Sequence, residues 1–215
     1  MDGAAIQNKY FISNTLANKT LIACEEILGN GGVHSVLNHA HLPHLIEHYP
    51  PDNLDKTFPY SDYAAIMTAL EDVYGKRGGK IMGICIGRVV SRTMIENFGL
   101  MLGVSDPAFK ALPLAVRVGL VLIALSKVLG QVTDLVPVVK EHIDSFDFVV
   151  SRCPICWKRH GENIPVCFSY IGLLQGLLNW VSDGQEFDVE ETACCAVGDA
   201  SCVFRVSKTP VEEAG

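Results

Sequence analysis

This sequence is short of charge, and above all of positive charge. Only 19% of its 215 residues are charged, and 17 Lys and Arg against 24 Asp and Glu leave a formal net charge of -7. Such a chain has no basic field to attract a phosphate backbone, which points away from nucleic acid as a direct partner. Cofactor signatures are missing too. No Gly-x-Gly-x-x-Gly follows a predicted strand, and no cluster-type cysteine run occurs, so no hydride or electron source is encoded in a recognisable motif. Gly75-Lys76-Arg77-Gly78-Gly79-Lys80 misses the phosphate-loop spacing, and Ile81 stands where a magnesium-binding Ser or Thr belongs, so it reads as a plain loop. A long unbroken apolar run is also absent. The most apolar stretch, 111–139, is interrupted by Arg117, Lys127, Gln131 and Asp134, which predicts a buried or subunit-contact helix and no membrane span. The first six residues lack the positive start and apolar run of a secretory signal, so the expected compartment is the cytoplasm.

What is present is core-forming material. At 49% hydrophobic the chain is no disordered segment, and its length suits one large domain or a core domain with a helical extension. Apolar positions Ile12, Leu16, Ala23 and Ile27 recur at helical steps up to a stop at Gly29-Asn30-Gly31-Gly32. A second helix over 33–39, a short one near 43–48 and a third from the N-cap Ser61 to Tyr74, closed by Gly75, complete a helical N-terminal region, 1–79. Residues 80–87 read as a strand or as the start of a helix running to Gly103. Asp106-Pro107 then opens a helical region that Pro113 and Pro137 interrupt.

After His142 the period becomes two: Phe146, Phe148 and Val150 share a face. Pro165 opens a helix with Cys167, Ile171, Leu174 and Leu178 on one stripe, and 187–196 and 202–206 flank Gly198 as a hairpin. The fold class is therefore α+β: a helical N-terminal half, then a ligand-binding-sized unit over 80–208 with its motif core at 146–208, then a short tail at 209–215.

Five of the seven histidines lie between His34 and His48, with His44 and His48 at i, i+4, but no cysteine or acidic partner accompanies them and they read as surface residues. Cysteine is distributed more tellingly: six of eight fall between Cys153 and Cys202. In a reducing compartment this clustering indicates metal or thiol chemistry. Glu191 and Cys194 on one arm of the hairpin, Cys202 on the other and Cys167 at the start of the preceding helix can close a tetrahedron around a structural zinc. Glu191 and Cys194 sit three positions apart, so a flat strand would point them to opposite faces, and a bulge near Cys194 is required. Glu190 and Cys195 are the register alternatives. Cys153-Pro154-Ile155-Cys156 has the spacing of both redox dithiols and zinc knuckles, and a rival metal set would join Cys153 and Cys156 to Cys167 and Cys194.

These residues also carry a resemblance. Phe187-Asp188-Val189-Glu190-Glu191-Thr192, Cys194, Gly198-Asp199 and Cys202-Val203-Phe204, preceded by Pro165-Val166-Cys167, closely resemble the 4-vinyl reductase (4VR) domain over roughly 146–208. Gly83-Ile84-Cys85-Ile86-Gly87-Arg88, followed by Glu96 and Phe98, is similar to a helix of the related vesicle-tethering subunits. The resemblance implies the ligand-binding fold shared by nitric-oxide-signalling and Golgi-transport proteins, a twisted antiparallel sheet with helices, often dimeric. Family members include hydrocarbon-binding sensor domains in which cysteines and a glutamate hold zinc beside an aromatic-ligand pocket. Matched by motif, that set is Cys167, Glu191, Cys194 and Cys202. The stretch after Cys167 is one residue longer than the family pattern, which keeps Glu190 open.

The chain ends at Gly215 without an ATPase or DNA-binding module, so the expectation is something other than a complete activator of that kind. Sequence therefore predicts a cytoplasmic, homodimeric binder of a hydrophobic small molecule with a structural zinc and no catalysis. The alternatives are an accessory protein or reductase for vinyl-bearing tetrapyrroles in bacteriochlorophyll synthesis, and a non-enzymatic interaction subunit of the tethering type.

Overall fold

The computed structural model describes residues 10–98 and 107–211. The chain opens with a short strand, β1 (Phe11–Ser13), and Ser13 then caps helix α1 (Asn14–His39) by accepting the Leu16 N–H at 3.2 Å. A 3-10 turn (Pro43–Leu45) leads to β2 (Lys56–Pro59), which pairs antiparallel with β1. This two-stranded sheet is a correction to the all-helical reading of the N-terminal region. Three- and four-residue strands carry too little alternation to be visible in sequence.

Helix α2 (Tyr60–Phe98) follows directly. The stops read at Gly29 and Gly75 are genuine breaks, where the backbone takes φ of 68° and 73°. The difference is that helix resumes at once after each, so the glycine-rich 75–80 segment is helical and not a loop. The boundary expected between 79 and 80 lies inside α2. Residues 80–87, ambiguous by period, are helical as well, while the expected run to Gly103 and the cap at Asp106 fall outside the described residues.

Pro107 begins a single turn, α3 (Pro107–Lys110), and Pro113 precedes α4 (Leu114–Val132). Among the described residues α4 is the one helix long and apolar enough, by length and composition, to cross a membrane, yet half of its most apolar window is buried in the fold. Its stripe Val118, Val121, Leu125 and Val128 faces the protein core, while Val116, Leu120 and Ile123 are each more than 40% exposed. Pro137 then admits a strand where helix was expected, β3 (Val138–Glu141), hairpinned to β4 (Ser145–Val150).

Helix α5 (Phe168–Val181) and the hairpin β5 (Val189–Ala193) and β6 (Cys202–Ser207) complete a four-stranded antiparallel sheet in the order β3-β4-β6-β5. Phe146, Phe148 and Val150 are all buried, as the alternation required. Helix α5 is tied to α2 by unusually close contact. A Cβ on Gly87 would lie 2.1 Å from the Ser169 carbonyl oxygen, and one on Gly172 would lie 2.0 Å from that of Ile84. Only glycine permits that approach, which sets the start of α5, and Cys167 with it, against α2.

Candidate metal centre and the cavity beside it

Three features of the chain deliver cysteines to one place. Strand β4 pairs Val150 with Cys202 of β6, so the segment leaving β4 carries Cys153 and Cys156 straight to Cys202. That segment is then pinned from outside. Arg159 makes a two-pronged ion pair with buried Glu71 of α2 at 2.7 and 2.9 Å and a further bond to Glu162 at 2.9 Å, and the Trp157 ring packs edge-on against Tyr10 and Tyr60. Cys167 occupies the N-cap of α5, one position ahead of the first turn anticipated for it.

The hairpin supplies the rest. Glu191 pairs with Phe204 and Ala193 with Val203, so Thr192 is an extra residue on β5. This is the bulge that the three-residue spacing demanded, and it turns both Glu191 and Cys194 inward, where they are 6% and 0% exposed. Beyond the bulge, Asp199 accepts the Cys194 N–H at 2.8 Å and Gly198 takes a φ of 115°, which accounts for the Gly-Asp pair in the motif. Glu190 is exposed, so Glu191 is the inward carboxylate. Half-buried Cys195 contributes its backbone N–H to the Cys202 sulfur at 3.4 Å.

The result is a cluster of buried donors in two overlapping four-residue groups, Cys167, Glu191, Cys194 and Cys202, and Cys153, Cys156, Cys167 and Cys202. Within each, all ligand atoms lie within 4.8 Å of one another. The second group contains Cys202 where the rival set named above had Cys194. Sulfur separations are 3.9 Å for Cys167 to Cys194, 3.8 Å for Cys167 to Cys202 and 4.0 Å for Cys194 to Cys202. A tetrahedral ion with sulfur at about 2.3 Å needs edges of about 3.8 Å. Reduced thiols in plain contact have similar spacing, so the carboxylate decides the matter. Glu191 Oε2 accepts the Cys167 N–H at 2.7 Å, but its Oε1 is buried without any partner. A buried carboxylate oxygen left bare beside three sulfurs is a costly arrangement that a bound cation relieves.

Electrostatics agree. Burial first, and then Cys194, push the Glu191 carboxyl up to about 9. Burial pushes the Cys167 and Cys153 thiols up, and Cys153 and Cys156 push up Cys202. Cys156 is drawn down, chiefly by Cys153, and Cys194 is drawn to about 6 by Cys167 and Cys202 against the opposing influence of Cys156. Some of these groups hold protons that a metal would displace. His44 and His48, by contrast, are exposed and share no α-helix.

The same segments wall a cavity of about 30 Å³ lined by Leu16, Tyr63, Ile86, Val90, Leu129 and Leu173, among others. Pro154 and Ile155, the residues between Cys153 and Cys156, form part of its wall, as do Ser169 and Tyr170 just after Cys167. Its surface is predominantly apolar, with the Tyr63 hydroxyl turned to Thr20 at 3.3 Å. Sequence reasoning missed this cavity because its lining comes from five separate segments.

Comparison with known proteins places these features in context. No curated protein matches the sequence. Among solved structures, an Fe(II) unliganded H-NOX protein mutant from K. algicida is 12% identical, with a TM-score of 0.58 over 94% of this chain and 98% of that one. A structure concerned with haem redox potential and porphyrin distortion is 16% identical, with a TM-score of 0.56 over 91% and 98%. An oxygen-binding H-NOX domain related to soluble guanylate cyclases is 18% identical, with a TM-score of 0.54 over 95% and 99%. At these identities the likeness is one of fold. The haem named for that neighbour does not fit here: the cavity is far too small, and no histidine of the described residues lines it. Residues 146–208, which contain the whole cysteine cluster, match the family model of the 4-vinyl reductase (4VR) domain, set in a chain with the fold of H-NOX domains.

Proposed function

We propose that this protein binds a hydrophobic small molecule, as a sensor or carrier, in the cavity between α2, α4 and α5, and that a structural zinc held by Cys167, Glu191, Cys194 and Cys202 fixes one wall of that cavity. The observation that carries the reading is the double duty of two short segments. Pro154-Ile155 and Ser169-Tyr170 touch the cavity from one side and are bracketed or preceded by the clustered cysteines on the other. Three thiolates and a carboxylate favour zinc, and a closed four-donor shell has no open position for catalysis. Free, reduced cysteines throughout suit a cytoplasmic setting.

At about 30 Å³ the cavity is the closed form of the site. A benzene-sized guest occupies about 150 Å³, so binding requires the wall to move outward. The Cys153 to Cys156 strap and the start of α5 are the segments whose position the metal controls. A second copy of the chain is the proposed cover for Val116, Leu120 and Ile123, which recur at helical spacing on the outer face of α4.

Native mass spectrometry after gentle purification tests all three parts together. The expected spectrum is a dimer carrying zinc and an apolar adduct that organic extraction removes. Turnover of a vinyl-bearing tetrapyrrole with a reduced nicotinamide or ferredoxin would overturn the binding reading in favour of the reductase.

A further inference from the structure

The two donor groups share Cys167 and Cys202 and differ in the other two residues, so either single-ion arrangement leaves part of the cluster without a role. An ion at Cys167, Glu191, Cys194 and Cys202 leaves Cys153 and Cys156 as thiols, each 2% exposed, with sulfurs 3.5 Å from Cys167 and Cys202 respectively. An ion at Cys153, Cys156, Cys167 and Cys202 leaves Glu191 buried with one oxygen unpartnered. A thiolate sulfur has lone pairs enough to bridge two cations, and Cys167 and Cys202, 3.8 Å apart, stand where two tetrahedra would share an edge.

Charge points the same way. Five thiolates and one carboxylate carry six negative charges when deprotonated; one dication offsets two of them and two dications four. Among the described residues no Lys, Arg or His pairs with Glu191, and the nearby Arg159 is committed to Glu71 and Glu162. Further compensation must come from a second metal or from retained protons.

Resting on the metal reading above, we infer that the centre is binuclear, with one zinc held by Cys153, Cys156, Cys167 and Cys202, the other by Cys167, Glu191, Cys194 and Cys202, and the Cys167 and Cys202 thiolates bridging both. The second ion closes the Cys153-Pro154-Ile155-Cys156 strap into a chelate ring, so the cavity wall becomes part of the metal centre itself. Each thiol and the carboxyl give their protons to solvent as the ions enter, and no redox change occurs.

The test is metal stoichiometry on the full chain, purified reduced with zinc present, by native mass spectrometry and elemental analysis. Two zinc ions per chain are expected, falling to one in the Cys153→Ser/Cys156→Ser double variant and to one in Glu191→Gln/Cys194→Ser. One zinc in the wild type, unchanged in the first double variant, overturns the binuclear centre and leaves the single structural site standing. Two zinc ions retained by both double variants place the metal elsewhere and overturn it as well, and no zinc at all overturns both readings. Should a variant fail to fold, X-ray absorption of the wild type decides: a zinc-to-zinc scattering path is required, and its absence refutes the proposal.

Discussion

Replacing Glu191 by Gln should change stability in opposite directions with and without metal. In the metal-free protein the carboxyl is held at about 9 against an ordinary value of 4.5, chiefly by burial. The folded state therefore keeps a proton that the unfolded chain releases, so wild-type stability falls as pH rises between those two values and is unaffected by this group below 4.5. The slope is about 1.4 kcal/mol per pH unit, giving a ceiling of about 5 kcal/mol by pH 8. Gln keeps the shape and the acceptor for the Cys167 N–H but has no proton to lose. In urea melts under chelator and reductant, Glu191→Gln should match the wild type near pH 4.5 and be the more stable protein at pH 8, by an amount that grows with pH. With zinc saturating, the order should reverse, because Gln removes an anionic ligand from a buried cation. Equal destabilisation by Gln with and without zinc would refute the reasoning, since Glu191 would then be a packing residue.

Gly172→Ala drives a methyl into the Ile84 carbonyl and should destabilise by about 3 kcal/mol, visible as a lowered melting temperature even in the metal-free protein. Ile86→Ala empties a fully buried position on the cavity wall; it should cost about 2–4 kcal/mol yet make the protein more responsive to small aromatics, read as a larger rise in melting temperature with toluene. Burial alone would raise the Asp147 pKa, but hydrogen bonds from Arg205 and His142 hold it below the usual carboxylate value. Its contribution is therefore present above the ordinary carboxylate pKa and lost as pH falls through the depressed one. Asp147→Asn should cost about 1–2 kcal/mol at pH 7 and almost nothing near pH 2, by chemical denaturation at each pH.

The C-terminal hairpin and the strand through Phe146 were legible because one buried face imposes a period of two on them. The need for a bulge at the hairpin was legible too, because Glu191 and Cys194 cannot share a face without one. The glycine-rich segment after Gly75 defies its local preference, which says loop. A Cβ on Gly79 would meet the Glu71 backbone at 2.6 Å, so tertiary packing holds that segment helical. The convergence of Cys153 and Cys156 on Cys202 depends on the pairing of Val150 with Cys202 and on the reach of Arg159 to Glu71, across 88 residues. No spacing rule encodes either contact. The cavity was hidden for the same reason, its lining running from Leu16 to Leu173.

The account stands most directly on a calorimetric titration of the zinc-loaded protein with an apolar aromatic guest such as toluene, repeated on Ile155→Trp, in which the indole fills the cavity from the strap between Cys153 and Cys156. It predicts saturable binding to one site per chain with a negative heat-capacity change, abolished in Ile155→Trp and weakened when zinc is stripped from the wild type. Binding that survives both Ile155→Trp and zinc removal, or no binding by the wild type or by the enlarged Ile86→Ala cavity, would contradict it.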